Sequence, residues 1–326
     1  MAEPITLQHG PLRARIDHER GASLIDLHAR APRVAHATDA DVWLPIVSRG
    51  VAGEDARANP ACFFMAPWCN RVRDAVFTWN GRRVALKADP RDGTAMHGDV
   101  RKRPWTILDR SPVSARLGFD STSFAGSGAP VNFPWRFACT ARYELRDASL
   151  LIAFDLTNTD TEPFPCGVGL HPYFPRVQRP GAEHASALSP GGRQMKLVAP
   201  VQARFPSERC MPTGPGARDA MARRLCAVQA PAPGYQMDSY HGYQGTCVID
   251  WPASRLSMTS SPNHEQLVYF APTTQGVEDP FVAIEPMTIC ADGFNMLAQG
   301  RPHHGVRVLA PGETLRSWHE LAVEFR

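Results

Sequence analysis

Five places along this chain hold residues able to move a proton or grip an oxygen-rich molecule: Asn70-Arg71, His97-Gly98, His171, Asp238 and Glu285-Pro286. They are far apart in sequence and sit by strand-like runs. Together they supply an acid, a base and charged hydrogen-bond donors. No G-x-S-x-G, H-E-x-x-H or G-x-x-x-x-G-K-[ST] pattern accompanies them. That inventory suits proton transfer on a polyhydroxylated, neutral molecule.

Glu285 follows the apolar run 281–284 and precedes Pro286. A carboxyl at the end of a buried strand is desolvated, which raises its pKa towards that of a useful base. The plainer alternative is a strand-end glutamate capped by an arginine. His171 stands in the segment 167–174, after Gly167 and Gly169 and before Pro172, Tyr173 and Phe174. Glycine allows close approach, and the proline biases His171 towards extended backbone, giving the fixed geometry a catalytic group needs. A satisfied core histidine is the competing reading. His97, after the turn-rich 89–93, reads as a loop histidine, functional or simply exposed. Arg71 and Arg73 are alternative working arginines. Asp238 reads as an isolated loop acid, and a turn role competes with a functional one. His303-His304 has no nearby acid at metal-ligand spacing and is set aside. Most of the tryptophans, Trp68, Trp79, Trp105 and Trp135 among them, read as core.

The elements that must position these residues are strands. Thirty prolines and 25 glycines cut the chain into short pieces, most of which alternate in hydrophobicity. In 136–146, Phe137, Cys139, Ala141, Tyr143 and Leu145 share one face. A turn at 146–149 leads into Leu150, Ile152, Phe154 and Leu156, giving an antiparallel hairpin. Further strands are predicted at 75–79, 83–88, 267–270, 281–284 and 316–325, with Asn80-Gly81 as a hairpin turn. Helical spacing is confined to 217–226, and 178–193 and 205–216 read as loops. The pattern predicts an all-β sandwich or barrel in one domain spanning residues 1–326.

Composition narrows the class. The 326 residues are 43% hydrophobic and 21% charged with net charge +3, so a large core is available and neither nucleic acid nor membrane is an expected partner. The eight cysteines form no C-x-x-C pair and read as buried hydrophobes of a reducing compartment. With no signal peptide or apolar span visible, a cytoplasmic protein is the expectation.

Taken in order, these segments resemble the aldose 1-epimerase (mutarotase) family over roughly residues 40 to 320. The similar pieces are Asn70-Arg71 with Gly81, His97-Gly98 with Trp105, and Gly169 to Phe174 around His171. Asp238, Ile284-Glu285-Pro286 with Asp292 to Asn295, and the run from Leu309 to Glu313 complete the set. The resemblance implies a large antiparallel β-sandwich of the supersandwich type. It implies a monosaccharide substrate whose α- and β-anomers interconvert through the open chain, with no cofactor and no metal, in a monomer or homodimer. Glu285 would act as base on the C1 hydroxyl and His171 as acid on the ring oxygen. His97 would assist nearby, while Arg71 and Asp238 would hold sugar hydroxyls. A Glu285 carboxylate close by would raise the His171 pKa and keep it protonated.

Pro172 and Pro175 depart from galactose-type members, which commonly have a small polar residue and an asparagine there. Arg101-Lys102-Arg103 reads either as a solvated turn or as a group reaching an anion, so a hexose phosphate or acidic sugar is an alternative substrate. That alternative requires two or more cations converging at one end of the pocket. A sugar-binding or regulatory protein on the same fold is the alternative outside enzymes.

Overall fold

Residues 2–31, 42–49, 53–178 and 195–326 are described by the computed structural model, with 53–55 described in backbone alone. Nearly all of the loop expected at 178–193 lies outside the described residues.

Two antiparallel sheets carry the architecture. The eight-stranded sheet runs Thr106–Arg110, Ser114–Asp120, Phe137–Leu145, Ser149–Asn158, Thr314–Phe325, Ser254–Ser260, Thr246–Asp250 and Lys196–Val198. The ten-stranded sheet runs Ile5–His9, Leu12–Asp17, Ser23–Arg30, Cys62–Met65, Gly169–Pro175, Phe281–Met287, Gln266–Ala271, Gln236–His241 and Ala203–Arg204, with Trp43–Val47 also paired to Ser23–Arg30. The expected all-β class holds.

The alternating hairpin forms as read. Phe137–Leu145 pairs with Ser149–Asn158 from Phe137↔Asn158 to Leu145↔Leu150, and the five predicted inward residues are all buried. They meet the other sheet directly. Phe64 stacks on Phe154 at 4.5 Å, and the Tyr143 hydroxyl donates to the Ala22 carbonyl at 2.7 Å. Each such aromatic contributes about 1.5–3 kcal/mol by burial. Asn80 and Gly81, both at positive φ (48° and 75°), close the hairpin of Val76–Trp79 and Arg82–Ala85, the conformation a two-residue primed turn needs. The helix Ala220–Leu225 begins where the Asp219 carboxylate accepts from the Ala222 N–H at 2.9 Å.

Two loop readings are corrected. Segment 205–216 contains the small ladder Ser207–Glu208 with Met211–Pro212. Asp238 lies inside the strand Gln236–His241, paired from Gln236↔Ala271 to His241↔Gln266. That strand has no β-branched residue, so its local propensity is silent. Its ladder with the Val-, Tyr- and Phe-bearing neighbour decides the conformation.

The centre of the ten-stranded sheet is different again. Cys62–Met65, Gly169–Pro175 and Phe281–Met287 are buried at every position. One face packs on the eight-stranded sheet. The other bears polar side chains and faces the short ladder of Arg71–Val72 with Ala95–Met96.

Candidate active site

His171 and Glu285 face each other on adjacent central strands. The ladder passes from Gly169↔Met287 to Tyr173↔Ala283, and the interval between contains both residues. Pro172 and Pro286 occupy that interval and have no N–H to contribute. His171 Nε2 and Glu285 Oε1 are 3.1 Å apart, with the two side chains 5% and 2% exposed. His171 is clasped between rings: Phe63 lies 4.5 Å away on one neighbour, and Tyr173, two residues on and on the same face, lies 4.7 Å away. Glu285 pairs with Val268 on its other side.

A cavity of about 390 Å³ opens over this row. Its sheet wall includes Phe63, His171, Tyr173, Glu285, Val268 and Met237. Asn70, Arg71, Asp92, His97 and Arg101 close it from above.

His97 is fixed rather than exposed. Its N–H donates to the Asn70 carbonyl at 2.7 Å, and Nδ1 lies 3.0 Å from Met65 Sδ. Its ring meets His171 edge-on at 5.2 Å. Gly98 is required beside it: at φ +69° an added Cβ would stand 1.9 Å from the Ala66 carbonyl oxygen. Arg71 Nε donates to Asp92 at 2.9 Å, which holds the guanidinium over the cavity. Arg73 is bound instead to Asp292 and lines no part of the cavity.

Asp238 does not join this group. Met237 takes the cavity position on its strand, and Asp238 projects from the opposite side, 2.8 Å from Arg204, which also binds Asp219. Reading it as a loop acid hid the alternation that decides its facing. Tyr173 belongs to the aromatic segment that follows His171 in the sequence, whereas Phe63, Met237 and Asp92 are wall residues that the sequence did not assign to the site. Phe63 and Met237 had no local signal, and Asp92 looked like an ordinary turn residue.

Electrostatics distinguish the pair. Burial raises the Glu285 carboxyl to about 8, against the opposing pull of Arg71. Burial, with Arg49 and Arg101 adding to it, holds the His171 imidazole well below its usual range. Burial also depresses His97 well below its usual range, with Arg101, His171 and Arg71 contributing. The expectation that Glu285 keeps His171 protonated is therefore corrected. Burial favours the shared proton on Glu285, against a neutral imidazole. Transfer across 3.1 Å gives carboxylate and imidazolium with no change in total charge. The second oxygen, Oε2, is buried with no hydrogen-bond partner among the described residues. The arrangement is an acid and a base sharing one proton beside a sugar-sized cavity.

Comparison with known proteins places the chain in a family and its fold among known structures. The family model for aldose 1-epimerase matches residues 44–322. The uncharacterized protein YphB of Escherichia coli K12 is 24% identical over 275 residues, covering 82% of this chain and 85% of that protein. A galactose mutarotase-like protein from Clostridium acetobutylicum has a similar fold, with TM-score 0.77, 16% identity, and 99% and 95% of the two chains covered. So does the aldose epimerase homologue from C. elegans, with TM-score 0.75, 13% identity, and 100% and 99% covered. With the match running through both sheets and the His171–Glu285 row, the chain belongs to the aldose 1-epimerase family.

Proposed function

We propose that this chain is a mutarotase, interconverting the α- and β-anomers of an aldose by acid–base ring opening and closure. The observation that carries the reading is the buried His171–Glu285 contact of 3.1 Å at the cavity floor. With the proton on His171, the Glu285 carboxylate takes the proton of the C1 hydroxyl. The C1–ring oxygen bond breaks, and His171 gives its proton to that oxygen. The open-chain aldehyde then lies beside a neutral acid and a neutral imidazole, the pair that burial favours. A dry site thus supports the intermediate. Rotation about C1–C2 and closure on the other carbonyl face reverse both transfers. Arg71, drawn to the carboxylate, favours the form of Glu285 able to act as base. It also offers guanidinium donors to sugar hydroxyls. His97, kept neutral, assists beside His171.

Polarimetry or NMR exchange of freshly dissolved α-aldoses, with and without the protein, tests this reading. Accelerated anomer exchange that disappears in Glu285→Gln is the expected result. Sugar binding with no acceleration would instead favour a non-catalytic sugar-binding role.

A further inference from the structure

A second cavity, of about 520 Å³, adjoins the first. The two share Phe63, Tyr173, Arg91 and Arg101 as walls. Its remaining lining includes Arg20, Arg49, Arg57 and Lys102, so six cationic side chains converge on one space, with no acidic residue in its wall among the described residues. Among the described residues, Arg57 binds Asp17 and Glu19, and Arg91 binds Asp89. Arg49, Arg101 and Lys102 form no ion pair with a carboxylate among the described residues.

Their placement relative to the acid–base pair is defined. Arg49 lies 4.3 Å over the Tyr173 ring and 5.1 Å from that of Phe281. Arg101 lies 5.3 Å over the Phe63 ring. Tyr173 and Phe63 are the rings that clasp His171. Stacking holds a guanidinium by its face and leaves its edge N–H groups for a ligand. A solvated turn accounts for exposed Lys102 but not for the stacking of Arg101 beside it, nor for Arg49, which is stacked likewise and arrives from a separate segment. The crowding has an electrostatic signature. Arg101 leads the causes that lower the Lys102 pKa, and burial lowers that of Arg101 itself. An anion in this space would relieve both.

The direction of the annex says where such an anion belongs on a sugar. It opens beside His171, the proposed partner of the ring oxygen. The carbon next to that oxygen, other than C1, is C5 with its exocyclic substituent. We propose that the preferred substrate is an aldose whose exocyclic C6 group carries an oxyanion, phosphate or carboxylate, held by Arg49, Arg101 and Lys102. This rests on the mutarotase reading and narrows its substrate class.

The test is anomer exchange by NMR magnetisation transfer on D-glucose, D-galactose, glucose 6-phosphate and glucuronate. Expected is a kcat/KM for one anionic sugar at least tenfold above that for glucose, which also identifies phosphate or carboxylate as the favoured group. Arg49→Gln, and separately the exposed Lys102→Gln, should each lower the anionic-to-neutral ratio by about tenfold or more, with part retained in Arg49→Lys. A wild-type ratio near one, or a ratio unchanged in both variants, would overturn the anion pocket and leave the mutarotase standing. No exchange with any of the four sugars would remove the mutarotase reading and the pocket with it.

Discussion

The two large sheets use the same backbone geometry to different ends. Strands of the eight-stranded sheet alternate between core and outside: in Phe137–Leu145 and Ser254–Ser260 every second residue is buried. The three central strands of the ten-stranded sheet are buried on both faces. A strand of that kind is expected to be apolar throughout. His171 and Glu285 break that expectation, and both face the cavity, beside the rings of Phe63 and Tyr173. Burial alone does not mark them. His319, in the eight-stranded sheet, is also fully buried and also pushed well below its usual range. Its Nδ1 meets the Ser260 hydroxyl at 3.0 Å, and it lines neither cavity of the site. A buried histidine with a neutral partner stabilises a core, whereas one facing a buried carboxyl over a cavity can exchange a proton.

The comparison is broken most severely at Glu285. Glu285→Gln should lower anomer exchange by about 10²–10⁴-fold, the span of general acid–base catalysis, read as kcat/KM. The same substitution should change stability in a direction set by linkage. The folded pKa of about 8 lies above the ordinary 4.5, so the folded state holds the extra proton between those values. Wild-type stability is therefore full below about 4.5 and falls as pH rises through 8. Glutamine removes that fall, so chemical denaturation above pH 8 should find the variant more stable, by an amount on the order of a few kcal/mol. A variant with wild-type pH dependence of stability would contradict a buried, raised carboxyl.

Phe154→Ala tests the other sheet. It removes the stack on Phe64 and should cost about 3–5 kcal/mol in denaturant unfolding. At temperatures where the variant stays folded, kcat should remain within about twofold of wild type, because the contact lies on the face away from the cavity. A larger fall in kcat would mean that packing between the sheets sets the His171–Glu285 geometry.

Arg71→Ala acts between these extremes. Loss of the guanidinium should raise the Glu285 pKa further, moving to higher pH the alkaline fall of kcat at which the pair loses its one shared proton, and should lower kcat/KM by about 10–100-fold. A pH profile that stays in place would separate Arg71 from the carboxyl. The smallest effect belongs to Asp238→Ala. Facing Arg204 rather than the cavity, Asp238 should lose about 1 kcal/mol of stability with KM within about twofold. A KM raised tenfold would return Asp238 to the sugar site.

Legibility followed the physics of each region. The eight-stranded sheet was readable because one wet and one dry face impose a period of two, as in the alternation of Phe137 to Leu145. The Asn80-Gly81 turn was readable because its positive φ values select those residue types. His171, Glu285, His97 and Arg71 each kept a plain alternative in their local setting and were singled out by the ordered resemblance to a family, and one cavity brings all four together. The facing of Asp238 could not be read, because a strand without propensity gives no phase. Nor could the protonation of the pair: a neighbouring carboxylate argued for a charged His171, but burial and Arg49 outweigh it.

The sequence by itself determined the strand-rich class, the turns and the set of acid, base and cation side chains, since these depend on local periodicity and residue chemistry. Tertiary structure alone decided that residues 114 positions apart meet at 3.1 Å, that Arg71 rather than Arg73 faces the cavity, and that Arg49 joins Arg101 and Lys102 around one space. Those outcomes follow from register and from desolvation, and both are properties of the assembled sheet rather than of any one strand.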